Sequence, residues 1–176
     1  MEATQDLVGS RPGEGKADDN IIVIRDLHYS RGHRKIFDGL NLEIPRGRVT
    51  AIMGPSGSGK STFFNQVGAL DVPTEGKVFF EDQSVFDLSE SKQAWFRCNR
   101  IGYIFQAHNL LQPLTAQQNV LLAADLQPDL RWREKRRRAR HLLEAVGLGD
   151  HRHRHPSQLS GGQRQRVAVA RALAGR

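Results

Sequence analysis

Cysteine is almost absent from this chain: Cys98 is the only one in 176 residues, so an internal disulfide is excluded. That usage suits a reducing compartment. Long apolar runs are missing as well. No stretch approaches the ~20 residues that a membrane-spanning helix needs, and Met1 to Asn20 holds no hydrophobic segment of the kind that directs secretion. Hydrophobic residues make up 38% of the chain and the mean hydropathy is −0.53, which fits a soluble protein with one domain's worth of core. Negative charge is scarce towards the C-terminus, where no Asp or Glu follows Asp150.

Positive charge is plentiful and unevenly placed within a net charge of +7. Arg131, Arg133, Lys135, Arg136, Arg137, Arg138 and Arg140 face a single carboxylate, Glu134. Trp132, Ala139, Leu142, Leu143 and Val146 keep a helical period through the same stretch. The pattern reads as an amphipathic surface helix with a solvated basic face rather than a nucleic-acid module. A second cluster, His151-Arg152-His153-Arg154-His155, precedes Pro156 in a loop and has no second ligand set that would make it a metal site.

Along the chain, residues 1–19 are polar and aperiodic and read as a disordered tail. Strands are expected at Ile21–Ile24, about Lys35–Ile44, Val49–Met53, Lys77–Phe80 and Ile101–Phe105. Helices are expected after Gly59, at about Glu90–Cys98, at Ala116–Leu126 and at Arg133–Val146. In the first of these, Phe63, Phe64, Val67 and Leu70 should form the face that packs on a sheet.

Residues 54–61 read Gly-Pro-Ser-Gly-Ser-Gly-Lys-Ser, a complete GxxxxGK[ST] loop entered from the apolar run Val49–Met53 and leading into a helix. Its glycines allow the backbone to wrap closely and turn N–H groups toward anionic oxygens. Lys60 supplies a point charge for β- and γ-phosphates, Ser61 offers a hydroxyl to Mg²⁺, and the helix start adds its positive dipole end. Gly54, Ser56, Gly57, Ser58, Gly59, Lys60, Ser61 and Thr62 are therefore the expected contacts to a nucleoside triphosphate.

A second phosphate-facing feature lies at Leu159-Ser160-Gly161-Gly162-Gln163, before a strongly helical stretch. Ser160 and Gln163 have capping-box spacing. Gly161 and Gly162 leave the first turn's N–H groups bare, so a phosphate can approach without meeting a Cβ.

In order, the phosphate loop, a glutamine ending a strand at Gln106, and LSGGQRQRVAVARAL at 159–173 resemble the ATP-binding subunits of ATP-binding cassette (ABC) transporters, from about Ile21 to the last residue. The resemblance implies an α/β, P-loop NTPase fold: an ABC-type ATPase domain with an antiparallel β subdomain and a helical subdomain at about 107–160, the C-terminal part being missing. Residues 20–176 would then be an incomplete nucleotide-binding domain. The ligands implied are ATP and Mg²⁺. Tyr29 is similar to the aromatic residue that stacks on adenine, and Gln106 to the glutamine that touches Mg²⁺ and the attacking water. Ser160, Gly161, Gly162 and Gln163 would serve ATP held by the phosphate loop of an opposite subunit. The segments Gly68–Gly76 and Ile101–Leu111, with Asn119-Val120, resemble the lipoprotein-release and macrolide-export type.

In that family the next segment would carry the Walker B carboxylates and the switch histidine. The sequence stops at Arg176, and His151, His153 and His155 precede the signature, so none of them can be that histidine. The expectation is a cassette whose isolated hydrolytic activity is lost and whose phosphate-loop strand exposes an apolar edge. Two readings stay open. One is the ATP-binding subunit of a transporter, coupling ATP binding and hydrolysis to export, peripheral on the inner face of the cell membrane, with a membrane-spanning permease and a second cassette, head to tail, as partners. The other is a catalytically inactive fragment that binds nucleotide or a partner cassette only. A nucleic-acid partner is not expected, because few aromatics accompany the basic run.

Overall fold

The computed structural model describes residues 19–175; the tail expected at residues 1–19 lies outside them, apart from Asp19. The described chain falls into two compact units, one up to Gln93 and one from Ala94 onward.

The first unit is built on an antiparallel sheet of β1 (Asn20–Arg31), β2 (Arg34–Pro45), β3 (Glu75–Phe80) and β4 (Gln83–Ser84), in the order β2–β1–β3–β4. α1 (Lys60–Val67) lies between β2 and β3 in sequence. The sheet carries a bulge that decides which side chains enter the core. Ile22 and Ile24 point inward at even positions, whereas Leu27 and Tyr29 do so at odd ones. The switch occurs where the register slips between Ile24 and Leu27 and Asp26 takes φ 49°. An extra residue in one strand shifts the two-residue alternation by one and so exchanges faces. The bulge also dictates Gly76 on the neighbouring strand: it sits at φ 89°, and a Cβ there would lie 2.1 Å from the Asp26 carbonyl oxygen. Ile24, Leu27, Phe37 and Val78 from the sheet then close over Phe63 of α1.

Two expectations for this unit fail. Residues 49–53 form no strand: the ladders among the described residues pair β1 with β2, β1 with β3 and β3 with β4, and a segment without a hydrogen-bonding neighbour is not a strand. Val49 is 100% and Met53 75% exposed, and of the apolar run Ile52 packs against the core cluster of the sheet. The buried face of α1 also differs. Phe63 is buried, but Phe64, within the helix, is exposed, and so is Leu70, because the helix ends at Gly68 and Ala69 turns left-handed at φ 54° before Leu70 is reached. Gln66 takes the inward position and is 0% exposed.

α2 (Glu90–Arg100) carries the chain from one unit to the other. The second unit packs α3 (Ala116–Ala124), α4 (Trp132–Ala145) and α5 (Gly161–Ala174), with 3-10 turns at Gly149–His151 and Pro156–Gln158. Its core sets Val120, Leu143, Leu148 and Val167 among fully buried alanines, and such small side chains let helices approach closely. The helix ends are tied across the bundle: Arg138 of α4 donates to the carbonyls of Leu173 and Ala174 at the end of α5, and Arg166 of α5 donates to the Val146 carbonyl at the end of α4. Cations there satisfy orphan carbonyls and meet the negative end of the dipole. The basic run is thus not wholly solvated. Lys135, whose side chain is 13% exposed, also turns inward to the Asp125 carbonyl. Trp132 goes the other way, out of the face assigned to it by period, and is 54% exposed.

The strand expected at Ile101–Phe105 is absent too. The segment has no ladder partner among the described residues, and Ile104 and Phe105 are exposed rather than buried. It runs against α5 at Gly102, where a Cβ would lie 2.5 Å from the Ala172 carbonyl oxygen.

Two buried amides make a direct contrast. Asn119 donates to the carbonyls of Leu111, Leu114 and Thr115 and accepts from the Leu111 N–H at 2.8 Å, knitting the 111–115 loop onto α3. Gln66 has no partner on either amide atom among the described residues. A satisfied buried amide holds structure, whereas an unsatisfied one costs its full desolvation. Replacement by residues of similar shape should therefore act in opposite directions. Gln66→Met is expected to raise stability by about 1 kcal/mol and Asn119→Leu to lower it by about 2 kcal/mol or more, read as shifts of the urea midpoint in opposite senses.

Candidate nucleotide-binding site

The phosphate loop is shaped by two left-handed glycines, Gly57 at φ 79° and Gly59 at φ 95°. Gly59 also passes close to β2, where an added Cβ would come within 2.9 Å of Ile36 Cγ2 and 3.3 Å of the Phe37 ring. Conformation and space both require glycine here. α1 begins at the next residue with no side-chain cap and no acidic residue in its first turn, so among the described residues no cap side chain takes up the helix's first N–H groups. Such a terminus favours an anion.

Lys60 folds its ammonium back across the loop, donating to the carbonyls of Gly54 and Pro55 at 2.7 Å each, with Ser58 Oγ at 3.3 Å. A second cation reaches the loop from β2: Arg34 donates to the Gly57 carbonyl at 3.0 Å. No motif marks Arg34, since its role depends on the hairpin bringing it beside the loop. Ser56 and Ser61 are exposed and Thr62 is half-buried. Tyr29 is half-buried, packed against the core cluster and paired in register with Phe37, the residue that borders Gly59. The first unit therefore gathers Tyr29 and residues 54–62 around β2.

The second unit holds the other expected residues. The S-x-x-Q box forms as its spacing requires: the Gln163 N–H donates to Ser160 Oγ at 3.2 Å and the Ser160 N–H to Gln163 Oε1 at 2.8 Å. A Cβ on Gly162 would meet nothing within 4 Å, and one on Gly161 only the Arg164 guanidinium at 4.0 Å. The chain's own packing thus makes no demand for these glycines. Gln106 is exposed at the end of the 101–105 segment. Just beyond it, His108 and Asn109 adopt φ 62° and 47°, and both their carbonyls accept from the Arg171 guanidinium of α5. Burial lowers the Arg171 pKa from its ordinary value.

A family model described as ABC transporter matches residues 37–176, taking in both the loop and the signature turn. The chain belongs to the ABC transporter family. Its fold is that of ABC ATPase cassettes. The solved dimeric structure of the bacterial ABC transporter cassette MJ0796 superposes with TM-score 0.78 at 40% identity, covering 88% of this chain and 69% of that one. A post-hydrolysis state of the same cassette, bound to ADP and Pi, matches with the same TM-score at 39% identity. An ABC transporter ATP-binding protein of Thermotoga maritima is 47% identical over 83% of this chain and 63% of its own length. The lipoprotein-releasing system ATP-binding protein LolD of Myxococcus xanthus is 46% identical over 87% of this chain and 70% of its own length. The macrolide export ATP-binding/permease protein MacB of Hyphomonas neptunium is 43% identical over 87% and 24%. This ABC chain thus spans about two thirds of the length of the curated ATP-binding proteins it matches. No helix among its described residues is long and apolar enough to cross a membrane.

The approach to Gln106 in this cassette carries its own pH signature. Tyr103 stacks on Phe105 with centroids 5.6 Å apart, and burial pushes its phenol up to about 12. The folded chain then holds the phenol proton at pH values where the unfolded chain has released it. Stability contributed by the neutral phenol is complete below pH 10 and is lost as pH rises through 12. Tyr103→Phe, which cannot ionise, is expected to gain stability relative to wild type between pH 10 and 12 and not below, in paired urea titrations.

Proposed function

We propose that this chain is the ATP-binding part of a transport ATPase, holding MgATP on the 54–62 loop and offering its 160–163 turn to nucleotide bound by a second cassette. The observation that carries the reading is the phosphate loop. Left-handed Gly59 delivers an uncapped helix start beside the Lys60 ammonium, an arrangement suited to polyphosphate. Lys60 and the loop N–H groups would hold the β- and γ-phosphates. The Ser61 hydroxyl would ligate Mg²⁺, which neutralises charge on the phosphates, and Gln106 would orient water. Tyr29 would meet adenine with the part of its ring left outside the core.

The signature turn supports assembly of two cassettes. Among the described residues a Cβ on Gly162 would meet nothing within 4 Å and one on Gly161 only the Arg164 guanidinium at 4.0 Å, open space of the kind a turn facing another molecule's phosphate requires. The likeness to LolD and MacB favours export or extraction at the inner face of the cell membrane, through a membrane-spanning permease. Phosphoryl transfer to water also relies on carboxylates that position metal and nucleophile, and no Asp or Glu follows Asp150. The 176-residue chain by itself is therefore read as binding ATP without turning it over.

Titration with a fluorescent ATP analogue tests the loop. Lys60→Ala is expected to weaken binding at least about tenfold by removing a charge-assisted contact; equal affinity of the two proteins would sink the assignment. Hydrolysis by the 176-residue chain should not exceed the Lys60→Ala background. Extension with the following segment of a close relative should produce turnover that rises faster than linearly with protein concentration. In that extended protein Ser160→Arg should abolish turnover while leaving analogue binding by the monomer intact.

A further inference from the structure

α4 presents a basic face that the chain's own packing leaves unused. Lys135 and Arg138 turn inward, to the Asp125 and the Leu173 and Ala174 carbonyls respectively. Arg133, Arg136, Arg137 and Arg140 remain exposed, at spacings of three, four and seven residues that put them on one side of the helix. The side chains of Arg133, Arg137 and Arg140 make no ion pair or hydrogen bond among the described residues. Glu134, the carboxylate nearest in sequence, is committed to the Arg131 N–H at 2.8 Å. Four exposed cations on one helix face set up a positive potential that attracts an anionic partner.

The chemistry of that partner is indicated by what flanks the arginines. Trp132 is 54% exposed at the start of the face, with the Arg136 guanidinium 5.7 Å from its ring centroid. The bond from Lys135 to the Asp125 carbonyl ties the first turn of α4 to the end of α3, which places Leu126, 56% exposed, at the same end of the helix pair. A tryptophan and a leucine beside a row of arginines match a phospholipid surface, with guanidinium groups on headgroup phosphates and indole at headgroup depth. A nucleic acid would use the charge but leave the leucine without a role, and one aromatic ring makes no base-stacking platform.

We propose that the Arg133–Arg140 face of α4, with Trp132, docks on an anionic bilayer surface. The contact lies outside the nucleotide site and goes beyond the proposed ATPase role, so it should be independent of nucleotide. The 176-residue chain, carrying Trp95→Phe so that Trp132 is the sole indole, would be titrated with vesicles of phosphatidylcholine containing phosphatidylglycerol, and with phosphatidylcholine alone. Binding and a blue shift of Trp132 emission are expected with the anionic vesicles only, weakening steeply as salt is raised. Replacing Arg133, Arg136, Arg137 and Arg140 by Gln should lower partitioning at least about tenfold, with far-UV circular dichroism confirming that α4 is kept. Trp132→Ala should lower it several-fold, followed by sedimentation. Equal binding to both vesicle types, absence of binding, or loss of binding by the quadruple variant only through loss of helicity would each overturn the proposal. Tight binding to duplex DNA that excludes vesicles would overturn it in favour of a nucleic-acid surface. The Lys60→Ala protein should bind vesicles like wild type, so failure of the nucleotide reading and failure of this one are separately visible.

Discussion

The passage of Gly59 over β2 is the constraint on which the nucleotide site rests. Within a few ångströms the chain must leave an extended segment, clear Ile36 and Phe37, and start a helix with no cap side chain, among the described residues, on its first N–H groups. A residue with a Cβ is excluded twice, by its φ and by the space. The position of β2 in turn depends on the bulge at Asp26, because that bulge sets which residues of β1 face inward and so which of them Phe37 pairs with. The geometry of the loop is thus inherited from the hairpin, and Arg34 extends the dependence by holding the Gly57 carbonyl from the same strand.

The second unit answers a different problem, that of ending helices inside a small bundle. α3 and α5 begin with reciprocal caps, Thr115 with Gln118 and Ser160 with Gln163. α4 and α5 exchange arginines at their C-termini. Each removes orphan backbone groups that would otherwise lie against a core of alanines and leucines. The cap at Ser160 carries a double use. Its hydrogen bonds fix where α5 starts, and the glycines that follow keep the outer side of that start open.

Local signals were legible in the sequence wherever the responsible residues were neighbours. The capping box at Ser160, the helix after Gly59, the strands at Ile21–Ile24 and Lys35–Ile44 and the helical period of α4 all follow from short-range spacing. Long-range conditions were not legible. Val49–Met53 and Ile101–Phe105 have strand composition, but a ladder needs a neighbour, and composition says nothing of whether one is at hand. Leu70 looked like part of a packing face because periodicity cannot see that Ala69 breaks the helix before it. The split of the basic run, Lys135 and Arg138 inward and four arginines outward, depends on carbonyls more than thirty residues away in the case of Arg138. Asn119 entered the sequence reading only through the resemblance of Asn119-Val120 to the lipoprotein-release and macrolide-export type, and no pattern names the carbonyls of Leu111 and Leu114 as its partners. Arg34 gave no signal at all.

Arg171 grips the carbonyls of His108 and Asn109, two consecutive residues held left-handed without being glycine. These two residues store backbone strain that persists only while something opposes it, and the guanidinium is the visible opponent. The contact therefore works as a latch between the helix that follows the signature turn and the segment that follows Gln106. A shift of α5 along its axis either drags residues 108 and 109 with it or releases them, and release lets the backbone next to Gln106 relax toward an ordinary conformation.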